Sequence, residues 1–514
     1  MKLKTMLDKA MPSIPSHLVQ KTALALVCST AFLTGCAVGP DYVRPEVDVP
    51  AAYKEDALWK LAKPADEMPK GEWWKVFKDP VLNQLMDQLN RQNLTIIQAE
   101  AQYRQAAAYL QQAESGLFPT LDVSASRIRG IHNSNTRAIT NQNEVSGTIS
   151  WEIDIWGEIR RSIEAGEAGA AASLANVAAT RLSAQAQLAK AYLELRVTDC
   201  QIARLKESEK LLEESLRLTR NQFNAGIISD ADVAQAESLW KNAQAATLDA
   251  ELARTQLEHA IAVSIGQTPA TFTLEPVADA PDLPTIPAGI PSLMLQRRPD
   301  IAVAERRVAQ ANAEIGVAKA AFFPALTLSA NGGWRHTSFN DLFTVPNRIW
   351  SIGPSIALNL FDAGLRRARS DEAIAAYDEQ VAAYRQQVLT AFQEVEDNLA
   401  AQNYLHHEAD HQMAAVNAAK RAEQIMMNRY RAGTASYIEV LTAQNTRINA
   451  ENTWWSIRKR QFTSAASLIA ALGGGWEQTQ PTPATPDGKV PSTNPSSEQE
   501  PSKNPPNETV HFIG

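Results

Sequence analysis

Hydrophobic and polar positions along this chain follow two rhythms. From Val145 to Ile155, Val145, Gly147, Ile149, Trp151, Ile153 and Ile155 alternate with Ser146, Thr148, Ser150, Glu152 and Asp154. A period of two predicts a strand with one apolar face and one face of hydroxyls and carboxylates. Upstream, after Phe118-Pro119, Leu121, Val123 and Ala125 alternate with Asp122, Ser124 and Ser126, and the polar run His132 to Asn143 predicts a hairpin loop. The arrangement returns after Phe323-Pro324. There Leu326, Leu328 and Ala330 alternate with Thr327, Ser329 and Asn331, a loop runs from Arg335 to Arg348, and Trp350, Ile352, Ile356, Leu358 and Leu360 predict a fourth strand. Pro354 within it removes one ladder donor. Core against solvent, or lipid against a wet lumen, would each give such strands. Their length of about ten residues, with Trp151 and Trp156 at an interface, favours a membrane barrel.

The second rhythm is helical and very long. Ala170 to Ala225 contains neither glycine nor proline, Gly226 follows, and Ile227 to Ile265 is again free of both. Leu365 to Ala432, Gly433 and Thr434 to Leu472 repeat the pattern. Each reads as two helices folded back on each other, with Gly226 and Gly433 at the hairpin tips, where positive φ is wanted. The first arm alone would be about 84 Å long. Leu188, Tyr192, Leu195, Ile202, Leu205, Leu212 and Leu216 recur at coiled-coil spacing, a narrow seam that needs partner helices. Val81 to Ser115 predicts one further helix, with Pro80 at its start, and Ile301 to Phe322 its counterpart. These two could stack on the shorter return arms and make up their length.

Phe223 matches Tyr430, Ala225-Gly226 matches Ala432-Gly433, and Asn242-Ala243 matches Asn449-Ala450, so the chain is an internal duplication. The expected organisation is a signal peptide over 1–35 and an extended, proline-marked segment over 36–79. A first repeat of helix, β-hairpin and long helical hairpin spans 80–267. A connector spans 268–299, a second such repeat 300–476, and a disordered tail 477–514. Four strands cannot close a barrel, and open sheet edges cannot sit in lipid, so several copies must share it.

The amino terminus places the chain. Lysines precede the apolar run Thr22 to Leu33, which ends in Leu33-Thr34-Gly35-Cys36, a signal peptide closing in a lipobox. Cys36 is the expected lipidation site, carrying diacylglycerol and an N-acyl chain. Ala37 stands where an aspartate would retain a lipoprotein in the inner membrane, so the outer membrane is expected. Cys200 is then the one remaining thiol, and no intrachain disulfide can form. The charge of −8 over 514 residues argues against a nucleic-acid partner. No cofactor motif is present. His407-Glu408-Ala409-Asp410-His411 matches H-E-x-x-H, but it lies inside a long helix with no further histidine until His511. It is read as a solvated face, so no metal site and no enzyme is expected.

Cys36 with Gly39-Pro40-Asp41-Tyr42 and Arg44-Pro45, Trp73-Trp74 with Phe77 and Asp79-Pro80, and Arg297-Arg298-Pro299-Asp300 resemble one family. So do both Phe-Pro strand starts, Tyr430-Arg431-Ala432-Gly433 and Leu472-Gly473-Gly474-Gly475-Trp476. The chain resembles the TolC-type outer-membrane efflux proteins, in the lipoprotein branch (NodT/OprM-like) that serves resistance-nodulation-division pumps. The resemblance implies an α+β membrane protein: a homotrimer whose shared β-barrel, four strands per chain, stands on a long periplasmic α-helical tunnel. It implies a periplasmic membrane-fusion adaptor and an inner-membrane transporter as partners, and passive export of drugs or other small molecules through a gated duct. Carried over by position, the gate falls on Asp232, on Tyr430 as its hydrogen-bond partner, and on Glu439 as an acidic ring. The arginine of the prototype's second tip is Ala435 here, leaving Arg429 or Arg431 as substitutes. Ser229, Asp230 and Asp232 also stand where helix caps belong. A lipidated periplasmic scaffold and a zinc peptidase are the competing classes.

Overall fold

The computed structural model describes residues 37–50, 53–54, 71–131, 139–277, 282–284, 286 and 297–474. The expected signal peptide, Cys36 and the tail from 477 lie outside the described residues, as do residues 278–281, 285 and 287–296 of the connector. A short 3-10 turn, Trp73–Phe77, leads into α1 (Pro80–Gln92) and α2 (Leu94–Ser115). The hairpin β1 (Thr120–Ile131) and β2 (Ile139–Glu152) follows, then α3 (Glu158–Asn224) and α4 (Asp230–Ser264). The second copy supplies α5 (Pro299–Ala320), β3 (Ala325–His336), β4 (Arg348–Ala357), α6 (Leu365–Arg431) and α7 (Tyr437–Ala471). The duplication is metrically strict: α3 and α6 each have 67 residues, α4 and α7 each 35, β1 and β3 each 12. The copies differ in the joint between strand and long helix, residues 153–157 in one and 358–364 in the other.

The long arm begins at Glu158 rather than Ala170, running straight through Gly166 and Gly169. Glycine inside a helix costs about 1 kcal/mol relative to alanine, and here close packing offsets it. A Cβ on Gly166 would lie 3.2 Å from Leu110 Cδ1 and 3.3 Å from Leu110 Cα; one on Gly169 would lie 3.3 Å from Gln310 Oε1. The glycines let α2 and α5 approach α3. The expected seam is buried throughout, from Leu188, Tyr192 and Leu195 through Ile202 and Leu205 to Leu212 and Leu216.

The helix expected from Val81 to Ser115 is two helices, broken at Asn93. Its backbone is extended, its Oδ1 accepts from Ile96 N (3.0 Å), and its Nδ2 donates to Ser264 O (2.7 Å), near the C-terminus of α4. Arg298 occupies the equivalent place in the second copy, donating from Nη1 to Ala471 O (3.1 Å), the last residue of α7. So α2 continues the line of α4 and α5 that of α7, as the length argument expected. The carbonyls that a helix end leaves bare are met at each splice by the residue that opens the next helix. Arg298 is also held by Asp300 (2.6 Å) and by Glu394 of α6 (2.7 Å), which explains the Arg-Pro-Asp run.

The main core lies at this level. Trp73, Trp74, Leu82, Met86 and Leu89 pack against Leu188 to Val197 of α3, Tyr384 to Leu399 of α6 and the end of α7. Asp79 caps α1 through Val81 N (2.8 Å) and Leu82 N (3.1 Å) and accepts from Tyr192 OH (2.6 Å). A smaller cluster, Leu216, Val233, Ala236, Tyr437, Val440 and Leu441, closes the helices near their tips.

The four strands form one antiparallel sheet in the order β1-β2-β3-β4. β2 starts at Ile139, inside the run expected to be loop, because Asn141 and Asn143 pair with Arg129 and Arg127. It stops at Glu152, so Ile153 and Ile155 lie past its end, and Leu358 and Leu360 lie past the end of β4. Pro354 is accommodated on an outer strand of the sheet, opposite Leu328. Among the described residues no helix is long and apolar enough to cross a membrane.

Removing the splice donors should loosen the tunnel unequally. Asn93→Ala loses a cap and one hydrogen bond and is expected to cost about 2 kcal/mol. Arg298→Ala leaves the Ala471 carbonyl without its donor and removes the ion pairs to Asp300 and Glu394, and should cost about 3 kcal/mol. Urea midpoints of the detergent-solubilised variants check the order; equal midpoints would contradict the splice.

Candidate functional site

The two helical tips are built alike. At the first, Gly226 (φ 73°) ends α3, and Ile227 N reaches back to Gln222 O (2.9 Å); at the second, Gly433 (φ 74°) ends α6, and Thr434 N reaches Arg429 O (2.9 Å). Positive φ at both tips is what the sequence expected of these glycines. Each return helix then opens with a capping box. Asp232 Oδ2 accepts from Ser229 N (3.1 Å) and Ser229 Oγ (2.7 Å). Glu439 Oε2 accepts from Ser436 N (2.7 Å) and Ser436 Oγ (2.9 Å). Asp232 and Glu439, assigned different roles from the resemblance, are therefore internal equivalents, the first half-buried and the second exposed. The backbone and hydroxyl hydrogen bonds from Ser436 hold the Glu439 carboxyl below the usual glutamate range.

Tyr430 is not bonded to Asp232 within the chain. Its hydroxyl donates to Gln222 Oε1 of the first hairpin. Burial is the main cause that pushes its phenol above the ordinary range, and the charge of Asp232 adds to it. A second bridge joins Ser215 Oγ and Tyr437 OH at 2.7 Å, and the two tyrosine rings lie 5.2 Å apart. One turn sequence thus ties both hairpins of a chain side by side through Gln222–Tyr430 and Ser215–Tyr437. Gln222, Ser215 and Tyr437 escape sequence reasoning because their partners stand more than 200 residues away. Arg429 donates to Thr434 O of its own turn (3.3 Å), and Ala435 is half-buried. Arg429 therefore braces the second tip rather than reaching across to the first.

At the opposite end the apolar face of the sheet lies bare: Leu121, Val123, Trp350, Ile352 and Ile356 are each more than two-thirds exposed. The other face carries Asp122, Ser124, Ser146, Thr148, Asn331 and a Glu144–Arg335 pair at 3.0 Å. The segment after Cys36 is fastened where strand meets helix. Val38 N donates to Trp156 O (3.0 Å), and buried Arg161 binds Val38 O (3.2 Å) and Asp41 (2.9 Å). The strap then descends along the helices, through Asn312 to Pro40 O (3.0 Å), Tyr42 to Glu305 (2.7 Å) and Arg44 to Tyr384 (3.1 Å). Burial and the Glu305 hydrogen bond push the Tyr42 phenol far above its ordinary range.

The H-E-x-x-H stretch sits on the exposed surface of α6, with Glu408 paired to Arg460 (3.3 Å). Among the described residues no group of three or more histidine, cysteine or acidic side chains could hold a metal.

The family model for outer membrane efflux proteins matches residues 85–267 and 290–474, the two copies described above. The toluene efflux pump outer membrane protein TtgC of Pseudomonas putida is 32% identical over 470 residues, covering 89% of this chain and 97% of the relative. The outer-membrane channel OprN superposes with a TM-score of 0.77 at 31% identity, over 86% of this chain and all of that one. The CmeC outer membrane channel of Campylobacter jejuni gives 0.79 at 27% identity, over 87% and 96%. The duplicated helical hairpins, the sheet with one bare apolar face and these likenesses converge: the chain belongs to the outer membrane efflux protein family and is an outer-membrane channel whose helices extend into the periplasm.

Proposed function

We propose that three copies of this chain close one barrel and one helical duct, the exit component of a tripartite efflux system that expels small organic molecules. The observation that carries this reading is the sheet. Its apolar face is uncovered, and its outer strands β1 and β4 are unpaired in a single chain. In lipid each unpaired backbone group costs several kcal/mol, so β4 of one copy must pair with β1 of the next. The 67-residue arms span about 100 Å, long enough to carry the tips far into the periplasm. There a membrane-fusion adaptor and an inner-membrane transporter of the resistance-nodulation-division class would engage them and supply the energy. The toluene exporter among the relatives supports apolar cargo.

Two finer parts belong to the same reading. Cys36 carries the lipid anchor: the strap fixes Ala37 and Val38 beside Trp156 and Gly157, at the foot of the barrel, where acyl chains on the preceding residue would enter the periplasmic leaflet. The gate lies at the tips. Asp232 and Glu439 of three chains would set six carboxylates around the opening, and the Tyr430–Gln222 bond keeps each pair of hairpins parallel.

Detergent should extract the protein as a heat-modifiable trimer whose N-terminal peptide carries three acyl chains, with the acyl mass lost in Cys36→Ser. A monomer released by salt alone would sink the channel reading. Asp232→Ala combined with Tyr430→Phe should raise single-channel conductance, and Gln222→Ala with Tyr430→Phe should match Tyr430→Phe alone, because one bond is removed in both. Unchanged conductance in the first pair would count against the gate. The Ser436–Glu439 box also carries a pH signature. The folded carboxyl titrates below its unfolded value, so its stabilisation is present at neutral pH and is lost as pH falls through the folded value. Hydrogen-exchange protection at the tip should exceed that of Glu439→Gln at pH 7, and the gap should close under acid.

A further inference from the structure

The barrel reading assigns the apolar face to lipid, and the role inferred for the sheet's arginines rests on that reading. The register shows which side chains share that face. Leu326 and Ile356 form its first row, and Trp151, Leu328 and Pro354 the next. Leu121, Ile149, Ala330 and Ile352 follow, then Val123, Gly147, Gly332 and Trp350. From Leu326 to Trp334 is about 27 Å of strand, or about 20 Å of height once tilted, the span of an apolar band. Then the chemistry changes. The next row joins Ala125, Val145, Trp334 and Arg348; beyond it lie Arg127 with Asn143 and His336, and Arg129 with Asn141.

Arg127, Arg129 and Arg348 are exposed, and among the described residues none of them has a hydrogen-bond or ion-pair partner. No acidic residue of the four strands lies on their face. The sheet's carboxylates, Asp122, Glu144 and Glu152, lie on the other, where Glu144 neutralises Arg335 at 3.0 Å. Aromatic rings mark the level beneath Arg127 and Arg129: Trp350 is 79% exposed, and Trp334, in the row of Arg348, meets Phe343 edge-on at 5.5 Å. Rings followed by cations is the order of a membrane interface, with indoles at the edge of the hydrocarbon and guanidinium groups among phosphates. The arginines also stand on the two outer strands. On closure, Arg127 and Arg129 of one protomer and Arg348 of the next gather at each seam, and three like charges there repel unless an anion lies among them.

We propose that this belt binds the phosphates of the phosphorylated glycolipid of the outer leaflet, one glycolipid seated at each protomer seam. Clustered guanidinium groups suit a headgroup that carries more than one phosphate, since each can take a phosphate through two parallel N–H donors. The glycolipid then fastens neighbouring chains together across the seam that closes the barrel.

The test titrates the detergent-purified protein with bisphosphorylated lipid A, dephosphorylated lipid A and phosphatidylglycerol, read by native mass spectrometry, with inorganic phosphate as competitor. The wild type should bind bisphosphorylated lipid A, the Arg127→Gln, Arg129→Gln, Arg348→Gln triple variant about a hundredfold more weakly, and Arg335→Gln as tightly as the wild type. Equal affinity of wild type and triple variant overturns the proposal, as does equal affinity of phosphorylated and dephosphorylated lipid A. Phosphatidylglycerol binding as tightly as lipid A, or displacement by equimolar inorganic phosphate, overturns it too. The comparison among lipids uses the wild type and stands even where a variant fails to assemble. Persistent single-channel conductance in the triple variant shows that the barrel is intact, whereas a wild type that forms no trimer defeats the barrel reading itself.

Discussion

Backbone amides and carbonyls that lack partners govern this molecule from one end to the other. In the sheet, the bare edges of β1 and β4 make a solitary chain untenable in lipid, and the sharing of a barrel follows. In the helices, the same constraint acts at every terminus. Asn93 and Arg298 answer it at the splices, Ser229 with Asp232 and Ser436 with Glu439 at the tips. Hydrophobic burial fills the level of Trp73, Tyr192 and Phe462 and thins to a seam beyond it. The extremities are therefore held more by satisfied polar groups than by apolar mass.

That distribution bears on function. A region with a broad core resists local opening, whereas one held by a narrow seam and a few hydrogen bonds opens at lower cost. The equatorial level, braced by Arg298, Asp300 and Glu394, is the rigid collar. The tips rest on Leu216, Val233 and Val440, with Tyr430–Gln222 and Ser215–Tyr437 between hairpins. On the reading proposed above, movement that admits cargo would belong at the tips, where opening costs least.

Much of this was legible in the sequence because it is periodic. The seam from Leu188 to Leu216, the strands' alternation and the tip glycines each follow from local geometry. The break at Asn93 carries no glycine or proline to announce it; its reason is the end of α4, far along the chain. Gly166 and Gly169 misled in the opposite sense, since an interior glycine and a terminal one look alike until Leu110 and Gln310 are seen against them. Strand limits slipped where side-chain polarity and pairing part company, at Asn141, Asn143, Leu358 and Leu360. At the tips the resemblance marked Asp232, Tyr430 and Glu439, and the cap position of Asp232 was legible; only the structure shows that Glu439 is its capping counterpart and that Tyr430 reaches for Gln222.

The equality of the two hairpins has a consequence for how such a chain can change. Each added residue in an α-helix advances the rest of the arm by about 1.5 Å and turns it by about 100°. With arms of 67 and 35 residues in both copies, a single insertion in one would twist its seam out of the bundle and set its tip off the common plane. Lengths can therefore shift only in steps that restore the angular phase, close to multiples of seven, and only in all four arms together. The reach of the duct is quantised, and its two halves are bound to keep the same measure.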